Sequence, residues 1–154
     1  MVEIAAVGYR PEEIGTDEPT RNARLKWVVL VDSSLPLGRA TNAAVCVAAA
    51  TTAAVPGLIG PDAKDAAGSR HAGLPWLGCS VLAATPEQLA EVRDKAAALE
   101  DMFVADMPAH AQQTLVYDEY TDQLATTEHP RYYAVSVVGP RNRVVKFTKR
   151  LDLL

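Results

Sequence analysis

At 154 residues the chain has the length of one ordinary domain, and folding at this size buries about 68–70% of the unfolded surface. Hydrophobic residues make up 49% and charged residues 22%, which excludes a disordered, collagenous or disulfide-dense chain. Fifteen Lys and Arg against nineteen Asp and Glu leave a net charge of −4, which argues against a protein that lives on nucleic acid.

Residues 1–25 read as a polar lead-in, broken by Gly8, Pro11, Gly15 and Pro19, and residues 26–154 as a single domain. The start, Met1-Val2-Glu3-Ile4-Ala5-Ala6, lacks the basic region of a signal peptide. Residues 26–31 (Lys26-Trp27-Val28-Val29-Leu30-Val31) form an apolar run of the kind a sheet buries on both faces. The turn-rich Asp32-Ser33-Ser34-Leu35-Pro36-Leu37-Gly38 follows, and then a helix over 39–55. Seven of residues 43–55 are Ala and none is charged, so this helix reads as internal. It stops at Pro56-Gly57, and at 13 residues the apolar stretch is too short for a bilayer, which takes about 20. Cys46 and Cys79 sit in apolar runs and read as small core residues. A soluble, cytoplasmic protein with no membrane partner is the expectation.

Residues 56–75 hold four glycines and three prolines and read as a long loop, functional or mobile. A strand over 76–84 comes next. Thr85-Pro86-Glu87-Gln88 is a capping box, and Leu89, Val92, Ala96 and Leu99 follow at helical spacing, with Glu91, Arg93, Asp94 and Lys95 facing water. Residues 102–105 read as a short strand, and 107–131 as mixed, with a short strand and a helical turn. Residues 133–138 form the last strand, and Gly139-Pro140 opens a helix over 141–150. This order predicts an α/β fold: a three-layer sandwich whose sheet, mixed but mainly parallel, has four or more strands and helices on both faces.

Several stretches resemble the type II peptidyl-tRNA hydrolases across roughly 26–154. That family follows an apolar strand with Leu-x-Met-Gly-Lys-Gly-Lys and a helix beginning x-Ala-Ala-Gln-Cys-Ser-His-Ala. Here Leu35-Pro36-Leu37-Gly38-Arg39-Ala40-Thr41-Asn42-Ala43-Ala44-Val45-Cys46-Val47-Ala48-Ala49 runs alongside without a gap. The ending also resembles it: an apolar strand, Gly139-Pro140, a helix and the apolar tail Leu151-Asp152-Leu153-Leu154. Ala23-Arg24-Leu25-Lys26-Trp27 and Asn42-Ala43-Ala44 resemble more closely the family called domain of unknown function 2000, which brings no activity with it. The resemblance implies a homodimer. The hydrolases' functional lysine falls at Thr41, and their glutamine and histidine at Val45 and Ala48, so those groups are missing here. Of their Asp-Ala-Gly-x-Thr-Gln motif only Asp106 has a counterpart, with Thr114 reachable through an insertion, and of their phosphate-gripping loop only Arg39. The resemblance therefore implies the hydrolase fold without its activity.

A ligand site is expected where the first strand meets the first helix, just beyond the strand's carboxyl end. Asp32, Ser33, Gly38, Arg39, Thr41 and Asn42 are its residues, and free helix amides there favour a small or anionic ligand. The competing reading is that Thr41 or Asn42 simply caps the helix. Asp106 and His110 form the second candidate, an acid–base pair for a hydrolase or transferase with Asn42 nearby, against a solvated turn. Cys46, one helical turn past Asn42, is a weaker nucleophile candidate. Arg143, Lys146, Lys149 and Arg150 form a basic stripe that could meet RNA, against the ordinary reading of a solvated face. His71, His110 and His129 stand singly, so neither a metal nor a cofactor is implied.

Overall fold

The computed structural model describes residues 7–154, so the reading of Met1–Ala6 lies outside the described residues. Strand β1 (Leu25–Asp32) leads into helix α1 (Leu37–Ala54). Two short strands, β2 (Ala63–Lys64) and β3 (Arg70–His71), make a hairpin. Then come β4 (Ser80–Ala84), α2 (Pro86–Ala97), β5 (Phe103–Pro108), α3 (His110–Gln113), α4 (Tyr117–Ala125), β6 (Tyr132–Pro140) and α5 (Arg141–Thr148).

The main sheet has the order β4-β1-β6-β5. It is α/β and mixed, but two of its three ladders are antiparallel: only β1–β4 is parallel, while β6 runs against both β1 and β5. The expectation of mainly parallel pairing is corrected on this point. The reason lies in the chain path. After β5 the chain stays at the carboxyl edge through α3 and α4, the Ala109 amide bonding the Arg131 carbonyl at 2.8 Å. The last strand therefore starts at that edge and must run back.

Alternation along β1 divides the core. Trp27, Val29 and Val31 pack with Ala40, Ala43 and Val47 of α1, whereas Val28 and Leu30 pack with Leu89, Val92 and Ala96 of α2 and Val144 of α5. Burial of both faces explains why the strand is apolar without a break. On the α1 side a polar chain is threaded through the core. Trp27 Nε1 donates to Ser136 Oγ at 2.8 Å, Ser136 and Thr51 share a 2.7 Å bond, and Thr51 Oγ1 donates to the Val47 carbonyl at 2.7 Å. With Thr51's proton used on the helix, Ser136 donates to Thr51, and every polar atom of this buried chain is satisfied.

The Thr85 capping box forms as read: the Gln88 amide donates to Thr85 Oγ1 at 3.2 Å and the Thr85 amide to Gln88 Oε1 at 2.9 Å. Other expectations change. Helix α1 buries only the stripe Ala40, Ala43, Val47 and Thr51, leaving Val45, Cys46 and Ala50 outward. Alanine is tolerated on both faces, so composition hid the amphipathicity. Cys46 and Cys79 are both exposed rather than core residues. Gly78, at φ +78°, turns the chain before β4, so only Ser80–Ala84 of the expected longer strand pairs. Residues 107–131 hold the end of β5 and two helices instead of a separate strand. The 56–75 segment is folded onto the body: Leu58 is buried, Asp62 accepts from Arg70 and from the Gly73 amide, and Asp65 accepts from the Ala67 and Ser69 amides. The chain end pairs Leu153 with Leu82, covering the outer edge of β4. Among the described residues no helix is long and apolar enough to cross a membrane.

Candidate functional site

The carboxyl ends of β1, β4 and β5 and the start of β6 meet at one edge of the sheet, through the pairs Asp32–Ala84 and Pro108–Tyr132. Asp32 ends β1 with its side chain fully buried. Ser34 donates to its Oδ1 twice, from the hydroxyl at 2.6 Å and the amide at 2.9 Å, and Arg131 Nη2 meets its Oδ2 at 2.6 Å. Burial pushes the Asp32 carboxyl up, but the Ser34 and Arg131 bonds outweigh it and hold the group below the usual carboxylate range. Arg131 is half-exposed and lies over the Tyr133 ring, 5.5 Å from its centroid. Asp32 is thus spent internally, and the charge of the pair offered to solvent is the Arg131 guanidinium.

The other junction residues fall differently from the sequence reading. Helix α1 begins at Leu37 with Pro36 as its cap, so Thr41 and Asn42 lie inside the helix and neither caps it. Thr41 Oγ1 donates back to the Leu37 carbonyl at 2.8 Å. Ser33 bonds the Ala84 carbonyl through its amide at 3.0 Å, while Gly38 and Arg39 are exposed in the first turn of the helix. Asn42 instead faces α3. Gln112 Nε2 donates to Asn42 Oδ1 at 3.1 Å and to the Arg39 carbonyl at 2.9 Å, and Cys46 Sγ stands 3.9 Å from the same Asn42 oxygen. The Asn42–Gln112 contact ties the first strand-helix junction to the segment carrying Asp106 and His110.

Asp106 is within β5 rather than in the loop after it. Its carboxylate pairs with Arg93 Nε at 3.1 Å, and Arg93 lies over the Tyr132 ring, 5.5 Å from the centroid. Arg93, expected to face water, is thus a structural cation. His110 begins α3 and its Nε2 sits 3.4 Å from Thr127 Oγ1, while Nδ1 is enclosed without a partner. Among the described residues no hydrogen bond joins Asp106 to His110. The fold brings Asp106, His110 and Asn42 to one edge, yet gives the two acid–base candidates separate partners.

Next to this edge a cleft of about 430 Å³ opens between α1, the end of β5 and the α3–α4 segment. Cys46, Val47 and Ala50 form one wall, Asp106 and Met107 the floor, and Ala111, Thr114, Leu115, Val116, Tyr117 and Tyr120 the other wall. Tyr117 and Tyr120 meet edge to face, with centroids 5.4 Å apart. Burial, with the nearby Tyr117 and Asp106 adding to it, pushes the Tyr120 phenol up, so it stays a neutral hydroxyl at physiological pH. Among the described residues no cluster of three His, Cys, Asp or Glu side chains is placed to hold a metal ion.

Sequence reasoning missed Arg131, Gln112 and Tyr120. Arg131 had a usable signal: an acid ending a doubly buried strand needs a cation, and the residue before β6 emerges at that edge. Gln112 and Tyr120 had none, because α3 and α4 carry no buried residue to give them a readable period.

Residues 25–154 match the model of the family described as "Protein of unknown function (DUF2000)". A solved structure of a protein of unknown function from Agrobacterium tumefaciens strain C58 superposes with a TM-score of 0.77 at 17% identity, covering 85% of this chain and 98% of that one. At that identity the likeness concerns the fold alone. No curated protein shows significant similarity to the chain.

Proposed function

The chain belongs to the DUF2000 family, and from that premise we propose that it binds a small, mainly apolar molecule in the cleft between α1 and α4. The observation that supports this reading is the cleft itself: about 430 Å³, within the roughly 300–1,000 Å³ of small-molecule sites. Its apolar walls are interrupted by a few polar residues: Tyr120, Cys46, Thr114, whose hydroxyl donates to the His110 carbonyl at 2.9 Å, and Asp106, which Arg93 holds. Such a lining encloses an apolar body and orients one polar end. Tyr120, held neutral, offers that end a hydroxyl without a charge.

The naphthalene dye 1-anilinonaphthalene-8-sulfonate is a suitable probe. Its fluorescence should rise saturably with the native protein, and Ala50→Trp, which fills the α1 wall, should weaken binding about tenfold, a loss of about 1.4 kcal/mol. Unchanged binding in Ala50→Trp overturns the assignment.

The finer reading is a three-layer, type II peptidyl-tRNA hydrolase-like fold without the hydrolase activity. Thr41 spends its hydroxyl on its own helix, Val45 and Ala48 offer no polar group, and Asp106 is paired with Arg93. One base does stand nearby: Arg131, with the Asp32 carboxylate and the Ser34 hydroxyl around it. A guanidinium stays protonated and can grip a phosphate, but it cannot exchange a proton as an amine does. The native protein and Thr41→Lys should therefore both leave the peptidyl-tRNA ester intact. Release of tRNA by the native chain at rates well above the spontaneous reaction refutes this.

A further inference from the structure

On the opposite face of the sheet from α1, helices α2 and α5 enclose a groove of about 460 Å³. Its apolar part is Val92, Phe147 and Leu151, and four cations rim it: Lys95, Lys146, Lys149 and Arg150. Glu91 is the one acid, and it pairs with Lys95 at 2.6 Å. Lys146, Lys149 and Arg150 form no ion pair among the described residues, in contrast to Arg143, which holds Asp101 at 2.7 Å. Like charges three and four residues apart on a helix repel. Lys146 lies in the last turn of α5, Lys149 caps the helix and Arg150 follows it, so the three cations crowd the end of the helix and an anion between them relieves their repulsion. Arg143 leaves the stripe read from the sequence, and Lys95 joins it from another helix, so a cationic helix face becomes a two-walled groove.

We propose that this groove binds a nucleoside polyphosphate, its phosphates held by Lys146, Lys149 and Arg150 and its base laid against Phe147. Two features select a compact anion over a long nucleic acid. The groove is bounded, and the chain's net charge of −4 makes the surface outside it more acidic still, which repels a strand extending beyond the groove. The partly exposed Phe147 ring, with Val92 and Leu151, gives a planar base an apolar contact that bare phosphate cannot use. This site is separate from the α1–α4 cleft, so either can fail without the other.

Calorimetric titration of the full chain with ADP, pyrophosphate and a 20-nucleotide RNA tests it. ADP should bind saturably at one site at low salt, more tightly than pyrophosphate, and weaken as salt rises. Lys146→Glu/Lys149→Glu should cost at least about tenfold in ADP affinity. Lys64→Glu, an exposed change on the β2–β3 hairpin, should cost none. These lysines are exposed, and unchanged far-ultraviolet circular dichroism would show that the variants fold. Absent ADP binding, equal affinity in the double variant, or RNA binding that ADP does not displace would each overturn the proposal.

Discussion

Asp32→Ala should lower the unfolding free energy by about 2–3 kcal/mol at neutral pH, because a buried, charge-assisted hydrogen-bond centre is removed. The Asp32 side chain has no exposed surface, and three donors at 2.6–2.9 Å converge on it. Removing it returns Arg131 to water, which the half-exposed guanidinium accepts at little cost, so the loss stays below that of orphaning a buried charge. The pH dependence fixes the mechanism. The folded-state pKa lies below the ordinary value of 3.8, so the ionised group contributes its full stability above that value. The contribution is lost as pH falls through the folded-state value. Urea unfolding of the native chain and Asp32→Ala should therefore show a wide gap at pH 7 that narrows below about pH 4. A gap of the same size at pH 3 would mean that shape, not charge, is what Asp32 supplies.

That centre shows what a one-dimensional reading reaches. β1, α2, β6 and α5 were legible because each carries its own local signal: unbroken apolar runs for doubly buried strands, a capping box, and one-sided periodicity. The direction of β6 was not, since it depends on where the preceding helices leave the chain. Alanine misled the reading of α1, because a residue that fits a core and tolerates water gives no face. At the site, Asp32, Asn42 and Asp106 were picked out by type and position, but not their partners. Arg131 lies 99 residues from Asp32, and Gln112 lies 70 from Asn42. Only tertiary structure joins such pairs, and it turned a supposed free carboxylate into a satisfied one at Asp32 and again at Asp106.

The lead-in segment matters to this edge-to-edge architecture more than its polar composition announces, and Gly57 is the place to see it. Gly57→Ala should cost about 2–4 kcal/mol, the sum of left-handed backbone strain and a collision with the segment before β1. Gly57 sits at φ +78°, and a Cβ there would lie 2.6 Å from the Tyr9 carbonyl oxygen and 2.7 Å from Tyr9 Cβ. Tyr9 cannot yield freely. Its ring is buried edge-on to Trp76 with centroids 4.9 Å apart, and its hydroxyl accepts the Leu25 amide at 2.8 Å. Trp76 in turn donates to the Gly57 carbonyl at 2.7 Å, closing a loop of contacts that joins the lead-in, the turn after α1 and the first residue of β1. Displacing Tyr9 should therefore expose the Leu25 amide, and its hydrogen exchange should accelerate in the variant alongside a lower urea midpoint. Gly38→Ala is the matched control: helical, with open space around its Cβ, it should stabilise α1 by about 0.5–1 kcal/mol. If Gly57→Ala unfolds at the native midpoint with Leu25 still protected, Tyr9 is not the clasp that holds the lead-in to β1.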